Sequence, residues 1–246
     1  MNGDRSVGLR RALLIGQRDI PFLLPPSTLM ARVHGSSDEV SFASGGFQML
    51  TDLLTALEPH RPIPSFRRIL DWGCGCGRLL RHALVYLQDS ELHGCDIDTE
   101  AIAWSDLNLI GASFRLVGVS PPTSYESNSF DLIYGVSVLT HMDEEHQFAW
   151  LDELRRILRP GGILLVTFHG RSFLHQLSPE HRSVVTTSGF LAVDDPVGVA
   201  FAPPGYYKMS YHSVGYIREH WLRYFDLLGI IERGMLNHQD LAVLTR

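Results

Sequence analysis

"RILDWGCGCGRLLRHAL", running from Arg68 to Leu84, decides the fold. Ile69 and Leu70 lead into Asp71, and glycine then returns at every second position, Gly73, Gly75 and Gly77, with Cys74 and Cys76 in the gaps. The residues before the glycines read as a strand and "GRLLRHALVYL" after them as a helix. Small residues allow a tight turn and a close approach of backbone to a ligand. The helix that follows offers free N–H groups. Such a loop stands at the edge of an open α/β sheet, where these sheets bind ligands.

The same rhythm continues outward. "ELHGCDI" is a strand, "TEAIAWSDLNLI" a helix ended by Gly111, and "SFRLVG" a strand. "SPPTSYESNS" is turn-rich, and "FDLIYGV" is a strand of buried type. "DEEHQFAWLDELRRILRPGG" is a helix with acids in its first turn and arginines in its last, both matching the helix dipole, and "PGG" ends it. "ILLVTFHG" is another apolar strand. Short apolar strands alternating with amphipathic helices predict a parallel sheet covered on both faces. After Arg171 the rhythm breaks, with a helix start at Ser178-Pro179 and the aromatics Phe190, Phe201, Tyr206, Tyr207 and Tyr211. It returns as a helix over "SVGYIREHWLRYF" and two strands, "LLGIIERGML" and "DLAVLTR". The short link "NHQ" makes that last pair antiparallel. Upstream, "FQMLTDLLTALEP" predicts a helix from Phe47 stopped at Pro59. Residues 1 to about 40 read as an irregular arm with one short helix.

The 246 residues carry 45% hydrophobic side chains and a net charge of −6, which fits a soluble domain with a sizeable core. No apolar run is long enough to span a bilayer, so no membrane partner is expected. Lys208 is the only lysine and the arginines do not cluster. On that ground no nucleic-acid partner is expected. Three cysteines make a poor disulfide framework, and a cytoplasmic location is expected. The oligomeric state is not legible.

The loop has rivals. A dinucleotide site spaces its glycines G-x-G-x-x-G; here the third comes one residue early and Arg78 stands in the expected place. Asp71 at the strand end gains nothing from a pyrophosphate. It suits a ligand carrying an ammonium and a sulfonium. A zinc reading draws on Cys74, Cys76, His93 and Cys95. One-residue spacing is tight for chelation, and buried inert cysteines with no metal are the preferred reading. "SPPT", Ser120 to Thr123, is similar to the N-P-P-[YF] signature of amino-methyltransferases. It precedes the fourth strand where that signature ends it, and it reads as a turn.

With these residues in place, "ILDWGCGCGRLL" resembles the first motif of the class I S-adenosylmethionine-dependent methyltransferases. "HGCDIDTEAI" resembles their second strand, "NSFDLIYGVSVLTHM" their fourth, and "LDELRRILRPGGILLVTFHG" their helix and fifth strand. The matches run in order from Arg68 to Gly170. The resemblance implies a Rossmann-like, doubly wound, seven-stranded, mainly parallel sheet with an antiparallel last strand. It implies S-adenosyl-L-methionine as cofactor, held by Asp71, Trp72, Gly73, Cys74, Gly75 and Gly77. Asp96 grips the ribose and Tyr134 supports the methionine moiety. Ile97 is either adenine-facing or plain core. Asp98 is the better cap for the next helix, which leaves Asp96 for the ligand. Many relatives place an acid or Asn after the third strand for the adenine amino group. Here that region reads "LVGVSPPTSY", so Ser120 or a backbone carbonyl serves.

His141, after the fourth strand, and His169, ending the fifth, are the candidate catalytic bases, since imidazole titrates near neutrality. A structural role stands beside each. Residues 1–62 are expected to form an N-terminal arm and helix, residues 63–246 the cofactor domain, with 171–212 inserted as a substrate cap. The cap aromatics form either a pocket lid or ordinary core. The expected reaction is methyl transfer to a hydroxyl or amine of a small metabolite, a sugar or secondary metabolite. The alternatives are a nicotinamide-dependent oxidoreductase, disfavoured by the glycine spacing, and a non-catalytic cofactor-binding module.

Overall fold

A computed structural model describes residues 23–195 and 202–246. The chain divides into two compact units, one through Leu116 and one from Val117 onward. Seven strands form one sheet in the order β3-β2-β1-β4-β5-β9-β8, and two more form a separate pair, β6-β7.

In the first unit, α1 (Ser27–His34) and α2 (Glu39–Leu57) precede β1 (Arg68–Trp72), α3 (Leu80–Tyr86), β2 (Glu91–Asp96), α4 (Thr99–Asn108) and β3 (Ala112–Leu116). β1 and β2 are parallel, with Asp71 opposite Gly94, and β2 and β3 are parallel, with Asp96 opposite Leu116. β1 is buried from Ile69 to Trp72 without alternation, the mark of a strand covered on both faces. α2 starts at Glu39, ahead of the expected Phe47, because the Asp38 carboxylate caps it by accepting from Ser41 N at 2.7 Å. Gly45 and Gly46 sit inside this helix for a packing reason. A Cβ at Gly45 would come within 2.0 Å of the Arg78 guanidinium, and one at Gly46 within 2.2 Å of Arg78 O. The described residues before 62 belong to the same compact unit as β1–β3. The first 22 residues of the expected arm lie outside the described residues.

In the second unit, β4 (Phe130–Gly135), α5 (Glu144–Ile157) and β5 (Leu158–Phe168) lead to α6 (Pro179–Ser188), β6 (Phe190–Asp194), β7 (Lys208–His212), α7 (Val214–His220), β8 (Asp226–Met235) and β9 (Gln239–Thr245). β4 and β5 are parallel, β9 runs antiparallel to β5, and β8 pairs antiparallel with β9. The last strand is thus the reversed one, as expected from the short link before it. α5 begins at the Asp143 cap, carries Glu144 and Glu145 in its first turn, and ends on Arg155 and Arg156.

The inserted segment folds as α6 capped by Ser178, followed by the antiparallel pair β6–β7. Its aromatics separate. Tyr211 packs with Phe173, Leu177 and Val185 as ordinary core. Phe190 stacks on Tyr216, and Tyr206 donates its hydroxyl to Val119 O at 3.0 Å. Tyr207 stacks on His141. Phe201 lies outside the described residues.

Candidate functional site

The first unit carries the glycine loop. Gly73, Gly75 and Gly77 all adopt left-handed backbone, with φ of 75°, 50° and 70°. L-residues avoid that region, so the alternation of glycines follows from the backbone path. Gly73 N and Cys74 N donate to Cys95 O at 2.8 and 3.0 Å, which fastens the loop to β2. Cys74, Cys76 and Cys95 are free and buried. Burial pushes the Cys76 thiol up to about 12 and moves the other two in the same direction. They are packed small hydrophobes.

Asp96, at the end of β2, accepts from Gly75 N at 2.7 Å on one carboxylate oxygen and from Asp98 N at 2.9 Å on the other. Desolvation by burial raises its pKa, and backbone bonds from Asp98, Gly75 and Ile97 oppose that rise. A carboxylate has about four acceptor positions, so acceptor capacity remains for a ligand's hydroxyl. Asp98 does the capping, accepting from Glu100 N at 3.0 Å and Ala101 N at 3.2 Å. Asp71 and Trp72 are buried beneath the loop at the end of β1, and Ile97 is half-buried.

α1 rests on this loop, a contact that no sequence motif announced. A Cβ at Gly75 would lie 2.3 Å from Val33 Cγ1, and the Cys76 thiol points at Leu29 O. Arg32 donates to Asp98 at 2.9 Å and to Glu100 at 2.6 Å. The apolar face Leu29–Met30–Val33, set beside a basic Arg32, was the available signal.

The second unit carries the imidazoles. His141 sits on a 3-10 turn, Leu139–His141, beyond β4. Its Nδ1 lies 3.1 Å from Lys208 O. A carbonyl only accepts, so Nδ1 holds the hydrogen and Nε2 holds the lone pair. Among the described residues Nε2 has no hydrogen-bond partner. The ring stacks on Tyr207 at 4.4 Å and 19°. Desolvation lowers its pKa, against the Lys208 carbonyl bond and the Asp195 charge.

His169 is enclosed at 3% exposure. Nδ1–H donates to Ser210 O at 3.1 Å, and Nε2 accepts from Gln239 Nε2 at 3.3 Å. Ser137 donates to Gln239 Oε1 at 3.0 Å. Burial, reinforced by His141, pushes His169 down to about 3. Tyr134 is buried in β4, and Ser120 is exposed in the loop after β3. The neighbouring Val119 carbonyl is already taken, by Trp150 Nε1 at 3.0 Å and by Tyr206. Among the described residues no cluster of metal-ligating side chains is found, and no helix is long and apolar enough to cross a membrane.

The strand order with its reversed last strand, the glycine-floored loop after β1 and the acid ending β2 are those of the class I S-adenosylmethionine-dependent methyltransferase fold, a likeness that supports S-adenosylmethionine as cofactor. Residues 70–164 match the family model of the methyltransferase domain. The chain is 33% identical over 120 residues to the tRNA N(3)-methylcytidine methyltransferase of Drosophila melanogaster, covering 45% of this chain and 37% of that protein. It is 30% identical over 119 residues to the tRNA N(3)-cytidine methyltransferase of Gallus gallus, covering 45% and 32%. The chain thus spans about a third of the length of these curated relatives. The fold is shared with an S-adenosylmethionine-dependent methyltransferase from Mesorhizobium loti at TM-score 0.55 and 16% identity, covering 79% of this chain and 98% of that one.

These relatives correct one expectation. Nucleic acid was excluded as a partner from net charge and the spread of arginines, yet both curated relatives are named for action on tRNA. Net charge averages over the whole surface. It does not report a local cationic face assembled from residues distant in sequence.

Proposed function

We propose that the protein transfers the methyl group of S-adenosylmethionine to a hydroxyl or amine of a small polar metabolite, a sugar or secondary metabolite, with His141 as general base. The observation that carries this reading is the geometry of His141: its Nδ1 lies 3.1 Å from Lys208 O, which directs the hydrogen there and leaves Nε2 with a lone pair, and burial favours the neutral ring. When bound, the cofactor supplies a methyl group activated by a positively charged sulfur. Asp96 takes a ribose hydroxyl on the acceptor capacity that its backbone bonds leave. Gly73, Cys74, Gly75 and Gly77 give it backbone to lie against, and Asp71 and Trp72 support that loop from below. In the first unit Ile97 adjoins Asp96; in the second, Ser120 and Tyr134 remain candidates for the adenine and the methionine moiety. His141 Nε2 accepts the proton that the acceptor loses as its oxygen or nitrogen bonds to the methyl carbon and that carbon's bond to sulfur breaks, with S-adenosylhomocysteine as the leaving group. Alignment of the reacting atoms supplies roughly 7–11 kcal/mol in such displacements. His169 has both ring nitrogens engaged, and it serves to hold β5 to β7.

Support for a small polar acceptor comes from the groups around His141. Tyr207 is aromatic, and the Lys208 charge is matched by Asp194 at 2.5 Å. A second reading, a cytidine base within tRNA as acceptor, is favoured by the two curated relatives. One experiment addresses both. Release of S-adenosylhomocysteine is followed with a panel of sugars, sugar nucleotides, phenols and amines, and in parallel with a tRNA transcript, for wild type and His141→Asn. Turnover on a small acceptor, lost in the variant while S-adenosylhomocysteine still binds, supports the first reading. Turnover on the transcript alone overturns it in favour of the second. An unchanged rate in His141→Asn removes His141 from the chemistry.

A further inference from the structure

Gln147 lies on the buried face of α5, at 0% exposure, where its neighbours in the stripe are Trp150, Leu151 and Leu154. A fully buried amide is kept only where every polar atom is used. Its nitrogen donates to Leu139 O at 2.9 Å and lies 3.2 Å from both Met142 O and Ser210 Oγ. Two hydrogens are shared among these three acceptors. Leu139 and Met142 bracket His141, so one side chain grips the turn on both sides of the imidazole. Ser210 Oγ donates to the same Leu139 carbonyl at 2.8 Å, and β7, which carries Ser210, also supplies the Lys208 carbonyl that fixes His141.

The amide cannot flip. Its nitrogen is committed to carbonyls, so Oε1 must face His212, whose Nε2 lies 2.9 Å away and must carry the hydrogen. His212 Nδ1 is buried with no partner, which leaves no place for a second proton. His212 is held in turn among Phe168, Phe190, Tyr216 and Trp221.

We infer that Gln147, locked in orientation by His212, is a positioning residue that sets the place and the tautomer of His141. This rests on the reading of His141 as base. The geometry of the clamp can nevertheless be tested apart from it.

The test uses the full chain with nitrogen-15-labelled histidine, the His141 signals being assigned by their loss in His141→Asn. Long-range nitrogen–proton spectra report the tautomer and titration of His141, which faces Tyr207, Lys208 O, Asp195 and His169. Wild type shows hydrogen on Nδ1 and a midpoint below the ordinary 6.5. Gln147→Leu and the milder Ser210→Ala give mixed tautomers and a midpoint moved towards that ordinary value. His212→Leu does the same, whereas His212→Gln, which keeps a donor towards Gln147 Oε1, restores the wild-type pattern. Affinity for S-adenosylhomocysteine serves as the folding control. Turnover on the acceptor found by the panel falls about 10- to 100-fold in Gln147→Leu, with acceptor KM moving less than kcat. A wild-type His141 tautomer in Gln147→Leu and Ser210→Ala overturns the inference, whatever His141 does in catalysis. A shifted tautomer supports it, even if His141→Asn retains turnover and the base assignment falls.

Discussion

Replacing Gly75 by Ala tests whether α1 bears on the cofactor loop. At φ of 50° the new side chain costs about 1–2 kcal/mol in backbone strain alone. Its Cβ would sit 2.3 Å from Val33 Cγ1, where carbon–carbon contacts ordinarily stand at about 3.5–4.0 Å. Something must move by more than 1 Å, and overpacking of this kind costs about 1–3 kcal/mol. The expected loss in urea unfolding is therefore about 2–5 kcal/mol. The two parts can be separated. Val33→Ala removes the obstructing methyl but leaves the strain. In the double variant the packing part is recovered, and the coupling between the two sites is at least about 1 kcal/mol. Calorimetry with S-adenosylhomocysteine should show weaker binding in Gly75→Ala and partial recovery in the double variant. If the two substitutions simply add, within about 0.5 kcal/mol, α1 does not rest on the loop, and the account of it given above is wrong.

Three further outcomes are expected. Asp96→Ala should weaken S-adenosylhomocysteine at least about tenfold by calorimetry, since each hydrogen bond to a carboxylate is worth about 1.5–3 kcal/mol; equal affinity would leave Asp96 as a loop fastener only. The rate on any hydroxyl acceptor should rise with pH through a midpoint below 6.5, because desolvation depresses His141 and its neutral form is the base; a rate that falls over that window contradicts the assignment. Glu153→Gln should destabilise the protein by about 1.5–3 kcal/mol at neutral pH, because the carboxylate charge that strengthens the bonds from Arg156 and Thr123 is lost. Burial raises that carboxyl, but the bonds from Arg156 and Thr123 outweigh it and hold the pKa below 4.5. The stability it confers is present above 4.5 and fades as pH drops through the lower folded value, so wild type and variant should converge in acid denaturation.

The parallel part of the sheet was legible because its strands are short, buried and punctuated by motifs. Asp71, the three glycines and Asp96 stand where the pattern puts them. Their positions follow from local backbone, which neighbouring residues specify. The start of α2 was not legible, since "EVSFASGG" reads as loop until Arg78 and His82 are seen filling the space its glycines leave. The β6–β7 pair was missed because "FLAVD" and "KMSYH" are short and are joined by a long link in place of a tight turn. Gln147, Ser210 and His212 escaped notice because their partners lie more than 60 positions away, as with Gln147 to Ser210 and to His212. The one available clue was a polar residue in the apolar stripe of α5.

The imidazole proposed to move the proton takes its orientation from a main-chain oxygen of β7. Any amino acid at position 208 provides that oxygen. Exchanges of the Lys208 side chain therefore leave that contact to His141 in place. On the proposed reading the proton acceptor is tied to the main chain of this strand, and the side chain at that position stays open to change without moving the ring.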